Sequence, residues 1–162
     1  MLDKQSSSVR FEVGSIKGRF NAVDAQLTFF EVAEMSLQGA KLEVTIATGS
    51  IDLTNPFLES MLRGEAWFDS VTHPLANFSS QALREHGGGI EVSGDLSIKG
   101  ITQTIKLRVH FADAVDELFQ AERIHFTAEG NFSRTAFGMS ALPKLAPDLI
   151  DLHIDGTFVL NL

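Results

Sequence analysis

The sequence predicts an all-β protein, a single antiparallel β-barrel of eight strands with one short helix. The first observation is the strict alternation of apolar and polar residues over Ile90–Phe111, which is typical of strands with one buried and one solvated face. The second is the same alternation in six other segments, which indicates one shared apolar interior. Eight such strands can close into a barrel without exposed edges, and a two-sheet sandwich is the alternative.

The central hairpin is the clearest element. Its first half alternates from Ile90 to Ile98, and its second half alternates from Ile105 to Phe111. Between them, Gly100–Gln103 predicts a turn in which Gly100 is free to adopt a positive φ.

Six further segments complete the predicted strands. They are Ser8–Val13, Ile16–Phe30, Ala40–Ile46, Leu75–Leu83, Ile124–Phe132 and Leu152–Leu160. The stretches Glu31–Leu37 and Asp113–Ala121 are interpreted as loops. Gly138–Leu149 contains Pro143 and Pro147, so it cannot be regular throughout.

One helix is predicted within Asn55–Gly64. Asn55 is a good N-cap, Pro56 suits the first helical position and Gly64 follows the end. The apolar residues of this segment share one helical face; they are Phe57, Leu58, Met61 and Leu62. Trp67-Phe68-Asp69 follows as an apolar anchor.

Length and composition limit the function classes. The 162 residues are expected to form one domain, 1–162. A formal net charge of −8 makes nucleic acid an unfavourable partner, and no apolar run is long enough for a membrane span. The chain has no Cys, which excludes disulfides and thiolate metal sites. Met1–Lys4 leads directly into polar residues, so no signal peptide is predicted in this chain.

Aromatic usage is uneven, with 13 Phe, one Trp and no Tyr. Phe supplies apolar area without a polar group. Composition alone leaves two interpretations open, a solid Phe-rich core and a large apolar cavity.

A series of short motifs gives the chain a family resemblance. In chain order they are Ser8-Val9-Arg10-Phe11, Gly18-Arg19-Phe20, Ser50-Ile51-Asp52, Leu62-Arg63, Trp67-Phe68-Asp69, His73-Pro74, Phe78-Ser79-Ser80, Gly94–Thr102 and Ser133–Met139. Each motif alone is weak, but their order and spacing are specific. The chain resembles the YceI-like polyisoprenoid-binding proteins.

This resemblance implies a lipocalin-like antiparallel barrel whose lumen binds a long isoprenoid chain, as in polyprenyl lipids or quinones. It implies no catalysis, no metal and no cofactor other than a bound isoprenoid lipid or quinone. It also implies a periplasmic or secreted location.

The chain departs from the family pattern near its first turn. Val13–Lys17 is several residues shorter than in the family, Ser60-Met61 replaces a His before Leu-Arg, and Gln103-Thr104 replaces Lys-Pro. The shortened segment leaves open a shorter pocket, a wider mouth or binding at a homodimer interface.

Candidate ligand-binding residues follow from strand parity, because the apolar face of each strand must point into the barrel. They are Phe11, Phe20, Phe29, Leu42, Val44, Ile46, Leu62, Trp67, Phe78, Leu96, Ile98, Leu107, Val109, Phe126, Phe132 and Phe137. These side chains either line a cavity or fill a core, and some are expected to belong to a plug under the helix.

Two arginines occupy motif positions, Arg63 and Arg134. A guanidinium suits a phosphate head group, but it also suits backbone carbonyls or a carboxylate such as Asp52 or Asp69. Both roles stay open, and the carbonyl or carboxylate role is favoured. No His pair has zinc-ligand spacing, and parity places His110, His125 and His153 on the outer faces of strands.

Three function classes are therefore compared. The favoured one is non-enzymatic binding, transport or storage of an isoprenoid lipid. The second is a structural or protein-interaction barrel with a filled core that acts through its acidic surface. The third, an enzyme, lacks a nucleophile–base pair, a carboxylate pair and a cofactor motif.

Overall fold

The fold is a curled antiparallel sheet with one α-helix, which confirms the predicted all-β class. A computed structural model describes residues 2–4, 7–28, 40–86, 89–111, 123–140 and 147–159. The two stretches interpreted as loops, Glu31–Leu37 and Asp113–Ala121, lie outside the described residues, as does Phe29.

Ten strands and one helix are described. The strands are β1 (Ser8–Val13), β2 (Ile16–Phe20), β3 (Val23–Thr28), β4 (Lys41–Ala47), β5 (Ile51–Asp52), β6 (Leu75–His86), β7 (Gly89–Ile98), β8 (Ile101–Phe111), β9 (Arg123–Ser133) and β10 (Leu149–Val159). The helix α1 spans Pro56–Arg63 between β5 and β6. Two short 3-10 turns occur at Thr48–Ser50 and Thr135–Phe137.

The strand count exceeds the predicted eight because two strands bend. The predicted strand Ile16–Phe30 breaks after Phe20 into β2 and β3, and β4 continues past a 3-10 turn as the short β5. The two bends lie side by side, since the amide of Ala47 donates to the carbonyl of Ala22 at 3.0 Å.

The bends also bring the sheet back onto itself. The strand order is β3-β4-β6-β7-β8-β9-β10-β1-β2-β5, so its two ends are the continuations of β2 and β4. β2 pairs with β1 and β5 at one end of the molecule, while β3 pairs with β4 beyond the bends. The ring of strands therefore closes through the two bends.

The central hairpin has a tighter turn than the predicted Gly100–Gln103. β7 and β8 are in register up to the Ile98–Ile101 pair, so only Lys99 and Gly100 form the turn. Both have positive φ, 56° and 75°, which is the requirement of a type I′ turn. Left-handed backbone is unfavourable for Lys99. Its ammonium group is anchored by the carbonyls of Glu65 at 2.6 Å and Gly138 at 3.3 Å.

β6 extends past the predicted end at Leu83 to His86, and it contains a bulge. Its pairing with β7 shifts register between Ser80 and Ala82, which returns Leu83 to the inner face opposite Val92. The inward Ser80 hydroxyl accepts the amide hydrogen of Leu42 at 2.8 Å, next to the last β4–β6 backbone pair, Glu43–Ser79.

The predicted helix is confirmed, and Leu62 is its buried residue. Asn55 Oδ1 accepts the amide hydrogens of Phe57 at 2.9 Å and Leu58 at 3.3 Å. Leu62 is fully buried, but Phe57 is 76% exposed. Leu58 and Met61 pack partly buried against the core on the apolar face that periodicity predicts, but Phe57, the first residue of that face, does not reach the core.

Inward glycines allow phenylalanine rings to lie against the barrel wall. A Cβ on Gly94 would lie 2.6 Å from the ring of Phe78 and 2.5 Å from the carbonyl oxygen of Ser79. A Cβ on Gly156 would lie 2.6 Å from the ring of Phe126. Each ring therefore occupies the space that a side chain on the neighbouring strand would need.

We expect Gly94→Ala to destabilise the protein by about 1–3 kcal/mol, because the added methyl group collides with a backbone oxygen and a packed ring. Chemical denaturation would measure the change. Gly49→Ala is the matched control, since the nearest atom to its Cβ is 3.9 Å away. Equal stability of the two variants would contradict this account of the wall.

Candidate functional site in the barrel interior

The interior of the barrel is apolar. Alternate residues of β7 to β10 point inward, and their buried side chains are aliphatic or aromatic. Ser80 is the buried polar residue on the inner face of β6, and its hydroxyl is used by Leu42. An unpaired charge inside would be strongly unfavourable, so the wall suits an apolar ligand.

Most candidate residues are buried in this interior. Thirteen of the sixteen are buried; they are Phe11, Phe20, Leu42, Leu62, Trp67, Phe78, Leu96, Ile98, Leu107, Val109, Phe126, Phe132 and Phe137. Val44 and Ile46 are half-buried, and Phe29 lies outside the described residues. The contact of these side chains with a ligand stays a prediction.

Burial is uneven around the wall. The inward side chains of β7 and of β8 from Ile105 to Val109 are buried, as are Ile124, Phe126 and Ala128 on β9. On the opposite side, Val23 and Leu27 of β3 and Val44 and Ile46 of β4 keep accessible surface although they pack against the same core. The β3–β4 side of the interior therefore presents apolar surface that no described residue covers.

One end of the barrel is filled, and we call it the plugged end. It contains α1, residues 64–74, the Lys99–Gly100 turn and the Thr135–Phe137 turn, joined by the Lys99 contacts to Glu65 and Gly138. Phe68 enters an aromatic cluster with Phe11 and Phe20, at ring-centroid distances of 6.3 Å and 5.4 Å. Among the candidates, Leu62, Trp67 and Phe137 belong to this plug rather than to the strand wall.

Arg134 is part of the plug. Its guanidinium is 4.9 Å from the centre of the Trp67 ring, and the residue is 1% exposed. Nε donates to the carbonyl of Pro147 at 2.8 Å and Nη1 to that of Met139 at 2.6 Å. These contacts match the carbonyl-bonding role that the sequence favoured.

Arg63 makes similar contacts on the surface of the plug. It donates to the carbonyls of Gly49 at 3.1 Å and Ile51 at 3.0 Å, and it pairs with Glu59 at 2.8 Å. These bonds fix α1 to the bend between β4 and β5. A head-group contact by either arginine stays a prediction, and both would have to exchange these bonds to make one.

Asp148 organises the segment that carries Arg134. Its carboxylate accepts hydrogen bonds from the Thr135 hydroxyl at 2.6 Å, the Thr135 amide at 3.1 Å and the Ser133 hydroxyl at 2.7 Å. These donors, with the Thr135 hydroxyl first and the Arg134 charge as a smaller contribution, lower the pKa of Asp148.

We expect Asp148→Asn to lower Tm at pH 7 and the difference from wild type to shrink in acid. A carboxylate whose folded pKa is depressed stabilises above its unfolded pKa, about 3.9, and loses that effect as the pH falls through the folded value. Thermal melts between pH 7 and pH 2 would measure this. Asp151→Asn is the control, because no hydrogen bond to that exposed carboxylate occurs in the described structure. A constant Tm difference across this range would count against the role of Asp148.

Sequence reasoning missed several inner and plug residues. Phe68 and Met139 complete the plug, and Thr48 is 1% exposed with its hydroxyl bonded to the carbonyl of His73. Leu152 and Ile154 add half-buried apolar surface on β10. Parity could have found the β10 pair, and the apolar Trp67-Phe68-Asp69 segment pointed to Phe68, but no local pattern shows that Thr48 and Met139 are buried.

No grouping of three or more His, Asp or Glu side chains suited to a metal ion occurs in the described ranges. His110, His125 and His153 are exposed on strands, as parity predicted. No helix in the described part of the chain has the length and apolar character to cross a membrane.

Comparison with known proteins agrees with this geometry. A family described as the YceI-like domain matches residues 1–158. A UPF0312 protein from Shewanella denitrificans is 28% identical over 158 residues, covering 93% of this chain and 81% of that protein. Protein YceI of Escherichia coli is 27% identical over 137 residues, covering 85% of this chain and 70% of the other.

Solved structures share the fold. Burkholderia cenocepacia BcnA superposes with a TM-score of 0.85 at 23% identity, covering 98% of this chain and all of the other. A polyisoprenoid binding domain from Saccharophagus degradans, implicated in plant cell wall breakdown, gives a TM-score of 0.70 at 15% identity, covering 99% and 97%.

The fold and its interior define a class: a curled antiparallel β-barrel with an apolar interior and one plugged end. Within this class, the chain belongs to the YceI-like family, whose match extends over nearly all of its length.

Proposed function

We propose that the barrel interior binds the apolar chain of an isoprenoid lipid, of the polyprenyl or quinone type, for transport or storage without chemical change. The observation that carries this proposal is the accessible apolar surface of Val23, Leu27, Val44 and Ile46 on the β3–β4 side of the interior, opposite a wall on β7 to β9 whose inward side chains are mostly buried. A solid core would bury both sides alike.

The driving force would be the removal of apolar surface from water. It contributes about 25 cal/mol per Å², from which the cost of immobilising the ligand is subtracted. The similarity of the fold to that of the Saccharophagus degradans polyisoprenoid binding domain supports the ligand class. Family membership supports a binding role and, we propose, a periplasmic or secreted location.

The first experiment is organic extraction of freshly purified protein, followed by mass spectrometry of the extract. We expect one stoichiometric polyprenyl or quinone species. If the protein is empty, the same lipids are added back and binding is measured by native mass spectrometry. A folded protein that takes up none of them contradicts the proposal and favours an interaction barrel.

A substitution tests whether the β3–β4 side is the binding surface. We expect Val44→Asp to weaken lipid binding by at least about tenfold, because a carboxylate would be placed against the ligand without a partner. Val71→Asp is the matched control, since Val71 is 94% exposed at the plugged end. Unchanged binding by a folded Val44→Asp variant would exclude this side of the interior.

A further inference from the structure

The outer face of the barrel carries a recess that the proposed function does not use. It has a volume of about 490 Å³ and lies across four neighbouring strands; its lining consists of Glu91, Lys106, Leu107, Arg108, Glu129, Gly130, Asn131, Asp151, Leu152 and His153. We call it the outer recess. The recess is open to solvent.

The recess lies where two strands part. β8 and β9 are paired from Phe111–Phe126 to Leu107–Gly130, and no further backbone pair is formed beyond that point. The first half of β8 instead approaches the Thr135–Phe137 turn, where Gln103 Nε2 donates to the carbonyl of Ala136 at 3.5 Å. The outer surface of the sheet therefore has a recess beside Gly130.

Charges of both signs line this recess. Lys106 and Arg108 project from β8, Asp151 projects from β10, and Glu129 with Asn131 lies on β9 between them. β8 and β10 are two strand spacings apart, about 9–10 Å. The cations of the recess thus lie on β8 and two of its carboxylates on β9 and β10, while a third carboxylate, Glu91, lies beside the cations on β7.

The polar groups of the recess are largely unused by the protein. Arg108 and Glu129 are direct cross-strand neighbours, yet they form no ion pair in the described structure. Asp151 and His153 also form no ion pair in the described structure. Lys106 Nζ lies 3.6 Å from the Glu91 carboxylate, which also pairs with Arg84 at 3.2 Å. Elsewhere on the surface opposite charges do meet, as in Arg19–Asp52 at 3.3 Å.

From this arrangement we propose that the outer recess is a second binding site, separate from the lumen, for a small zwitterion such as an amino acid or a short peptide. The ligand carboxylate binds the Lys106 and Arg108 side, where a guanidinium can donate two hydrogen bonds. The ligand ammonium group binds the Glu129 and Asp151 side. Asn131 lies between the two sides and can donate or accept a hydrogen bond.

The test is an amide-resolved NMR titration with glycylglycine, which carries both charges. We expect saturable shifts confined to the strand segments around 106–108, 129–131 and 151–153. N-acetyl-glycylglycine lacks the ammonium group and glycylglycine amide lacks the carboxylate. Each is expected to bind at least about tenfold more weakly, because one charged contact is lost.

Two variants test which protein side chain binds each charged group of the ligand. Arg108→Gln is expected to weaken glycylglycine about tenfold and to leave the amide form unchanged, since that ligand has no carboxylate to lose. Glu129→Gln is expected to weaken glycylglycine and to leave the N-acetyl form unchanged. Arg19→Gln, on the exposed face of β2 and outside the recess lining, is the control and should bind as wild type.

Absence of saturable shifts at the recess would overturn the proposal. Equal weakening by Arg19→Gln and Arg108→Gln would also overturn it, because it would show a general effect of net charge. All three variants are exposed side chains, so circular dichroism should show an unchanged fold.

Discussion

Replacing Arg134 with alanine should lower the free energy of unfolding by about 3–6 kcal/mol, because two hydrogen bonds from a charged group are lost and each contributes about 1.5–3 kcal/mol. The carbonyls of Pro147 and Met139 would lose these donors inside the plug. The ring of Trp67 would lose the guanidinium that covers it. Urea denaturation followed by circular dichroism would measure the change.

Arg63→Ala is the comparison for this variant. Its side chain is 40% exposed, so water can replace the lost bonds to Gly49 and Ile51, and we expect a loss of about 1 kcal/mol. An Arg134→Ala protein that is as stable as wild type but no longer binds lipid would contradict the structural role and support a head-group contact.

Trp67→Ala is expected to cost about 3–5 kcal/mol, since it removes the largest fully buried side chain at the plugged end. Circular dichroism is again the measurement, because this variant has no tryptophan fluorescence. We expect a large decrease in the denaturation midpoint without a change in native β-sheet content at low urea.

Trp67→Phe separates the contribution of side-chain volume to stability from that of the indole N–H group. The indole Nε1 of Trp67 is buried and has no hydrogen-bond partner, so phenylalanine loses part of the volume but no hydrogen bond. We therefore expect Trp67→Phe to be clearly more stable than Trp67→Ala. Equal losses in the two variants would show that the ring volume does not stabilise the plug.

Parity alone predicted most of the fold and the inward side chains. Period-two alternation is imposed by the pleat, so it identified the faces of β1, β4 and β7 to β10. The bend after Phe20 was missed because Asn21-Ala22 contains neither Pro nor Gly. Its position depends on the second bend near Ala47, a contact between distant segments.

The roles of the plug residues could not be predicted from local pattern. The sequence left open whether Arg134 binds a head group or carbonyls, because its acceptors on Met139 and Pro147 depend on how the chain folds back. Phe57 belongs to the apolar helical face but is exposed to solvent, since periodicity does not show how far a helix extends over the core. The outer recess likewise depends on the parting of β8 from β9, which follows from no sequence motif.

The pairing of β1 with β10 has a consequence for the order of folding. Ser8 lies opposite Asp155, so the first strand finds its place only when the last one is available. The β6–β7–β8 meander is local in sequence and can form early, whereas this closing contact carries the loop-closure entropy of almost the whole chain. During synthesis on the ribosome, the edges of β1 and β9 that pair with β10 therefore remain unsatisfied until the C-terminal strand emerges, and this interval is the one in which aggregation competes with folding.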